Sequence, residues 1–241
     1  MLDLFSRINK FGDIKTLIHV GAHEGQEIPL YERSNLNMVY LVEPISECIE
    51  ILEEKISNKS NFKVLPFALG AENSSKDLFI ADGINQTSSS ILEPRKSDIS
   101  FTETRKIPVK TFDSLNLEKI DMAVIDTQGY EIEVLVGFKE KIYDLSFLIV
   151  EFSLSEGYKK QPTYKELYKF MLGRNFTIVA QNKFINNIVS TIKKPTYGDA
   201  LFVNNSYLSR FDRWKFKIKF ILLNNKFRDA VLYIFLKIKK L

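Results

Sequence analysis

Short apolar runs rich in β-branched residues alternate, over the first third of the chain, with stretches whose apolar positions recur at helical spacing. Residues 1–12 read as a short helix ending at Gly12. Strands follow at 16–20, 39–43 and 62–67, with helices at 25–34 and 46–57 between them. This β-α-β-α-β rhythm predicts a parallel sheet with right-handed crossovers. The rhythm breaks over 70–112, where strand fragments at 77–81 and 106–110 flank a polar loop at 83–90. That stretch reads as an excursion from the sheet, folded over the ligand pocket.

The alternation resumes with a strand at 122–126, a helix at 130–140, a strand at 146–151, a helix at 163–173 and strands at 175–180 and 199–203. The last two strands are too close for a helical crossover and are expected to pair antiparallel. The predicted fold is therefore α/β and Rossmann-like. It has a seven-stranded, mostly parallel sheet with an antiparallel last strand, the architecture of class I methyltransferases. The main domain is expected to span 1–206, followed by a basic aromatic tail at 207–241. Residues 214–220 alternate aromatic or aliphatic with lysine, a period of two. At 227–241, Phe227, Ala230, Val231, Ile234, Ile238 and Leu241 share one helical face. Two helices are expected in the tail.

Charge changes the picture of that tail. Residues 207–241 hold 10 Lys/Arg and 2 Asp/Glu, a net +8, while the preceding 206 residues hold 24 and 28, a net −4. An acidic body with a basic end argues against a nucleic-acid enzyme, whose whole cleft would be basic. The tail suits either an anionic membrane surface or packing on its own domain or a second subunit. No secretory signal pattern opens the chain, and its longest uninterrupted apolar candidate, 230–236, is seven residues. The expectation is a cytoplasmic protein, with peripheral contact at the inner face of a membrane as one use of the tail. Cys48 is the single cysteine and falls in a helical pattern, which reads as a buried structural thiol.

The chemistry concentrates at strand ends. Gly21-Ala-His-Glu-Gly25 follows the first strand, and Glu43-Pro44 ends the second. Glycines let a backbone turn tightly and approach a ligand, and the following helix presents its positive end. An acid at the neighbouring strand tip can accept both hydroxyls of a ribose, as in nucleoside-binding α/β sheets. The spacing is neither the G-x-G-x-x-G of dinucleotide sites nor a P-loop, which leaves S-adenosylmethionine as the leading cofactor.

Asp126, past the fourth strand, and Glu151, ending the fifth, are candidate bases. For Asp126, binding of the cofactor's amino group and helix capping are the competing roles. His23 can bind the cofactor's carboxylate, take a proton, or lie solvated in its loop. His19 reads as a core histidine, and Glu131 and Glu133 as helix-dipole acids. Ser88, Ser89 and Ser90, with Gln128, are candidate substrate contacts. No metal site is expected.

The ordered blocks Ile18-His-Val-Gly-Ala-His-Glu-Gly25, Val42-Glu-Pro44, Pro66-Phe-Ala-Leu-Gly70, Ser88-Ser-Ser90, Thr111-Phe-Asp-Ser-Leu115, Asp126-Thr-Gln-Gly-Tyr-Glu131 and Val150-Glu151 resemble the FkbM-type methyltransferases across residues 14–155. The resemblance implies a class I fold, S-adenosylmethionine as methyl donor and transfer to a hydroxyl oxygen. The acceptor it implies is a sugar of a glycan or lipid-linked saccharide, or a natural product. By position it places Gly21, Ala22 and Gly25 at the methionine part, Glu43 at the ribose, Phe67 and Ala68 near the adenine, and Asp126 at the reacting end. Two positions depart from the family pattern. Val124 stands where a lysine is usual, and Gln128 where a glutamate is usual, so no duty of that glutamate carries over.

Three other readings compete. Nucleic-acid and protein N-methyltransferases typically carry [DN]-P-P-[FYW] after the fourth strand, where this chain has Asp126-Thr-Gln-Gly129. A methyltransferase of a non-sugar small molecule fits the same motifs. A catalytically idle nucleoside-binding scaffold, tethered through its tail, would bind cofactor without turnover.

Overall fold

The computed structural model describes residues 2–82, 87–95, 100–154, 157–182 and 197–224. Its centre is a seven-stranded sheet built from β1 (Thr16–Val20), β2 (Met38–Val42), β3 (Phe62–Leu65), β7 (Met122–Ile125), β8 (Phe147–Ser153), β9 (Phe176–Gln181) and β10 (Tyr197–Asn204). The spatial order is β3-β2-β1-β7-β8-β10-β9. The first five of these strands run parallel, and β10 is antiparallel to both β8 and β9. The order reverses between β1 and β7, which opens a crevice at their carboxyl ends.

Period-two alternation divides the strand residues between two cores. Ile18, Tyr40, Ala123 and Leu148 face one layer, covered by α4 (Glu131–Gly137) and α5 (Tyr164–Leu172). Leu17, Leu41, Val124 and Ile149 face the other, covered by α1 (Leu2–Ser6), α2 (Ile28–Glu32) and α3 (Ser46–Ile56). Each Leu, Ile or Val among them contributes about 1.5–3 kcal/mol on full burial, so pattern and register fix one another. α5 starts with a capping box, the Thr163 side chain accepting from the Glu166 N–H and the Glu166 side chain accepting from the Thr163 N–H.

The excursion at 70–112 is a second, three-stranded sheet. β5 (Ser74–Ala81) and β6 (Phe101–Lys110) pair antiparallel, and β4 (Ala68–Leu69) adds in parallel to β6. Leu78, Ile80, Ile107 and Val109 pack on Ile45 and Cys48 at the start of α3. Arg105 on β6 grips Glu47 through two hydrogen bonds of 2.7 and 2.9 Å.

Several helices are shorter than the pattern suggests. The N-terminal helix stops at Ser6 and continues as a single 3-10 turn at Ile8–Lys10. Residues 21–27 are consumed by the turns that bring Gly21, His23 and Gly25 to positive φ, so α2 begins only at Ile28, with Pro29 in its first turn. α4 ends at Gly137 because Lys139 adopts φ +48°, after which the chain tightens into a 3-10 stretch at Lys139–Asp144.

In the tail, α6 (Arg210–Asn224) is helical despite the alternating residues at 214–220. Phe216 packs on the core and meets the Phe11 ring, whereas Phe211 and Trp214 are exposed. The Tyr207 hydroxyl and Ser146 Oγ are hydrogen-bonded at 2.8 Å, and the Tyr207 ring lies against Phe147. The start of the tail is thus joined to the main sheet. The second expected tail helix lies outside the described residues. Among those described, no helix is long and apolar enough to cross a membrane.

Candidate active site

Three strand ends build the crevice. Gly21 follows β1 with φ +84°, and a Cβ there would lie 1.8 Å from the Asp126 carbonyl oxygen. Only glycine permits this approach of the β1 and β7 loops. The N–H groups of Gly21 and Ala22 donate to the Val42 carbonyl at 3.0 and 3.1 Å, and the Asp126 N–H donates to the Val20 carbonyl at 3.0 Å. The three loops are therefore tied together by main chain.

Glu43 closes the second loop from β2. Its buried carboxylate accepts the His23 N–H at 2.8 Å and the Ile45 N–H at 2.9 Å. Burial pushes its pKa up to about 7, with the two N–H donors opposing the shift. Each oxygen keeps a further lone pair for a ligand.

The third loop, Asp126-Thr-Gln-Gly129, is pinned from behind by Glu131. Its carboxylate accepts the Thr127 N–H at 3.1 Å and the Gly129 N–H at 2.8 Å. Gln128 is held at φ +54°, and its Nε2 donates to Asp126 Oδ1 at 2.9 Å and to Glu151 Oε2 at 3.0 Å. Desolvation raises the pKa of both acids. For Glu151 the shift is large and is reinforced by the Asp126 charge. Of the two carboxyl groups joined through Gln128, Glu151 is the one that holds a proton more readily. Asp199 lies opposite Glu151 in the β8–β10 register and adds negative potential.

A strap from the excursion crosses this loop. Ser90 pairs with Phe79 through backbone hydrogen bonds of 2.9 and 3.1 Å, while its Oγ donates to the Gln128 carbonyl at 2.8 Å. The Tyr158 hydroxyl donates to the Ser88 carbonyl, and Ser89 Oγ accepts the Ala81 N–H.

The resulting cleft is partly open and spans about 590 Å3, a figure that includes open solvent at its mouth. Of the residues singled out from sequence, Gly21, His23, Glu43, Pro44, Ala68, Ser89, Ser90, Asp126 and Gln128 line it. Five lie off its wall. Ala22 is turned into the core beside β2, and Gly25 is boxed in by Ile28 and Leu52. Phe67 packs into the core with Lys110 Nζ 4.4 Å above its ring, so its successor Ala68 takes the wall. Ser88 meets Tyr158 through its carbonyl, and Glu151 does not line the cleft itself but bonds Gln128, which does.

Sequence reasoning missed the apolar wall from Ile45, Leu78 and Ile91, and the polar contributions of Thr127 and Tyr130. Ile91, directly after the serines, was the available signal. His19 is buried beneath the site, its Nδ1 3.1 Å from the Tyr31 hydroxyl and its pKa lowered to about 4 by burial. Among the described residues, no group of three or more His, Cys, Asp or Glu is placed to hold a metal ion.

Residues 19–178 match the family model of the methyltransferase FkbM domain. No curated protein matches the sequence. Among solved structures, a methyltransferase FkbM from Methylobacillus flagellatus shares 13% identity at a TM-score of 0.49, over 78% of this chain and 43% of its own. This chain thus spans less than half the length of that protein. A Listeria monocytogenes protein assigned as an S-adenosylmethionine-dependent methyltransferase aligns over 84% of this chain and 96% of its own, at 10% identity and a TM-score of 0.51. The magnesium protoporphyrin IX methyltransferase of Synechocystis, solved with bound S-adenosylmethionine, covers 84% of this chain and 76% of its own, at 12% identity and a TM-score of 0.49. At these identities the likeness is one of fold.

Proposed function

The chain belongs to the FkbM methyltransferase family, and we propose that it methylates a hydroxyl oxygen, using S-adenosylmethionine, on a sugar of a glycan, lipid-linked saccharide or glycosylated natural product. The observation that carries the oxygen-directed reading is the Asp126–Gln128–Glu151 set at the cleft floor. It offers a proton acceptor beside the end of β7, and the loop lacks the Pro-Pro-aromatic clamp typical of amine methylation.

The residues present fit the cofactor. Glu43 stands at the tip of β2, where a ribose would find a carboxylate, and Pro44, Ile45, Ala68 and Leu69 continue the wall with apolar surface for a base. Among the described residues, His23 Nε2 is buried without a hydrogen-bond partner, on a residue that lines the cleft. When bound, S-adenosylmethionine supplies a methyl group already activated by its positively charged sulfur.

The protein's own work is positioning, exclusion of water and movement of one proton. Gln128 bridges Asp126 and Glu151, and with Glu151 the more readily protonated of the two, the Asp126 carboxylate is left to accept a proton from a substrate hydroxyl. Glu151, the more basic partner, keeps its proton and lowers the cost of a charge on Asp126. The strap at 87–91 covers this end of the cleft and contributes the Ser89 and Ser90 side chains and Ile91 to its wall. Ser89 and Gln128 are the polar groups best placed to take substrate hydroxyls there.

The test is transfer from methyl-labelled S-adenosylmethionine to a panel of saccharides and amines, with product linkage read by NMR. A methyl ether on a sugar is the expected product, and Asp126→Asn is expected to cut turnover by roughly 10²–10⁴-fold while cofactor binding persists. Transfer to nitrogen alone, or full activity in Asp126→Asn, rules the reading out.

A further inference from the structure

Helix α6 turns one aromatic side chain to the core and leaves two others open. Its start is fixed. Ser209 caps it, the Oγ accepting the Asp212 N–H at 3.0 Å, and Leu208 just before is buried. Phe216 packs on the core and meets the Phe11 ring, centroid to centroid, at 6.2 Å. These contacts decide which side of the helix faces the sheet. Phe211, Trp214 and the half-buried Ile218 stand at i, i+3 and i+7, a stripe on the side opposite Phe216. Phe211 is 67% and Trp214 51% exposed, with their ring centroids 6.1 Å apart. Apolar side chains exposed singly are ordinary, but neighbouring rings on one anchored face mark a contact surface.

The charges along the helix narrow the occupant. α6 carries five Lys/Arg and one Asp, and Arg210, Lys215 and Lys217 are exposed. By helical spacing Lys215 borders the stripe on one side, and Arg210 and Lys217 border it on the other. Rings flanked by cations complement a surface that is anionic outside and apolar beneath. The charged heads reach its phosphates while their stems lie along the apolar stripe, and a tryptophan ring sits at the boundary. A second copy of this face is a poor match, because a two-fold interface sets a patch against itself and would bring the cations together.

We propose that α6 is a membrane-surface element. Phe211 and Trp214 enter the headgroup region of an anionic phospholipid bilayer, and Arg210, Lys215 and Lys217 meet its phosphates. None of these residues lines the cleft, so the proposal holds whatever the acceptor.

The test uses the full chain with two kinds of vesicle, phosphatidylcholine alone and phosphatidylcholine mixed with phosphatidylglycerol. Trp214 is the only tryptophan in the chain, so its emission reports on this face directly and needs no variant. The expected result is co-sedimentation with the mixed vesicles alone, a blue shift of the Trp214 emission with weaker quenching by acrylamide, and release as salt rises. Two double variants, Phe211→Ser with Trp214→Ser and Lys215→Glu with Lys217→Glu, are each expected to weaken the partition about tenfold or more. All four side chains are exposed, so both variants should melt close to the unaltered protein, which separates loss of the surface from loss of the fold.

No binding to the mixed vesicles, equal binding to neutral ones, or a Trp214 emission that stays put on binding overturns the proposal. Binding that survives both double variants does so too, and assigns the attachment to residues 225–241. A lipid-free dimer in sedimentation velocity that Phe211→Ser with Trp214→Ser dissociates would show that a second copy covers this face instead.

Discussion

The Ser90 hydroxyl donates to the carbonyl oxygen of Gln128 across 2.8 Å, so a single side chain joins the strap over the cleft to the turn that carries its acids. The same Oγ accepts the Leu92 N–H at 3.1 Å, and Ser90 is 1% exposed. Loss of the hydroxyl removes both bonds at once, from a position closed to solvent.

Ser90→Ala should therefore cost about 1–3 kcal/mol. In a chain of this size that lowers Tm by roughly 3–10 °C. The strap should also become a preferred site of limited proteolysis. An unchanged melting curve with an intact strap would show that the bond does not hold it.

Glu43 makes stability depend on pH. Its folded pKa, about 7, lies above the ordinary value of 4.5, so the folded state holds the proton more tightly. That contribution is complete below pH 4.5 and is lost as pH rises through 7, up to about 3 kcal/mol at roughly 1.4 kcal/mol per pKa unit. Glu43→Gln lacks the titration, so its Tm should gain on that of the unaltered protein between pH 5 and 8. Parallel profiles would place the titration elsewhere. A ribose donating to the ionised carboxylate reverses the preference, so S-adenosylhomocysteine should bind more tightly from pH 6 to 8, releasing a proton.

Arg105 links the small sheet to α3 through Glu47, whose pKa its hydrogen bonds pull down to about 2. Glu47 is 57% exposed, so solvent screening limits the pair to about 1 kcal/mol or less. Arg105→Ala should barely move Tm at pH 7, yet speed amide exchange in β5 and β6. Because the Glu47 pKa is depressed, the pair's contribution is present above pH 4.5 and fades toward pH 2, where variant and parent should converge. Unaltered exchange in the hairpin would show that its apolar contacts with Ile45 and Cys48 suffice.

Strand positions were legible in sequence because each central strand is an apolar run buried on both faces, and Asp126 and Glu43 announced themselves as acids at strand ends. Side-chain direction within a loop was not. Ala22 and Phe67 belong to the right turns yet pack into the core, while their neighbours Gly21, His23 and Ala68 line the cleft. Partners distant in sequence were equally hidden. Gln128 meets Glu151 across 23 positions and Ser90 across 38. Glu131 read as a helix-dipole acid, whereas its carboxylate folds back to bind the N–H groups of the preceding turn.

Gln128 supplies the one uncharged link between two acids that burial already makes reluctant to ionise. Gln128→Glu replaces that donor with a third carboxylate at 2.9 and 3.0 Å from the other two. Like charges at that distance cannot all be held, so the new acid's folded pKa must rise above its unfolded value near 4.3. The variant should be destabilised on the order of 3 kcal/mol at pH 8, and the deficit should shrink as pH falls toward 5, where the added proton is retained. Exchanging the two groups tests the cause. In Gln128→Glu/Glu151→Gln the number of carboxylates returns to that of the parent, and the amide faces the acids from the opposite side. Thermal melts from pH 5 to 8 should show most of the loss recovered, a coupling far from additivity. If the double variant is no better than the sum of its parts, shape rather than charge governs this turn.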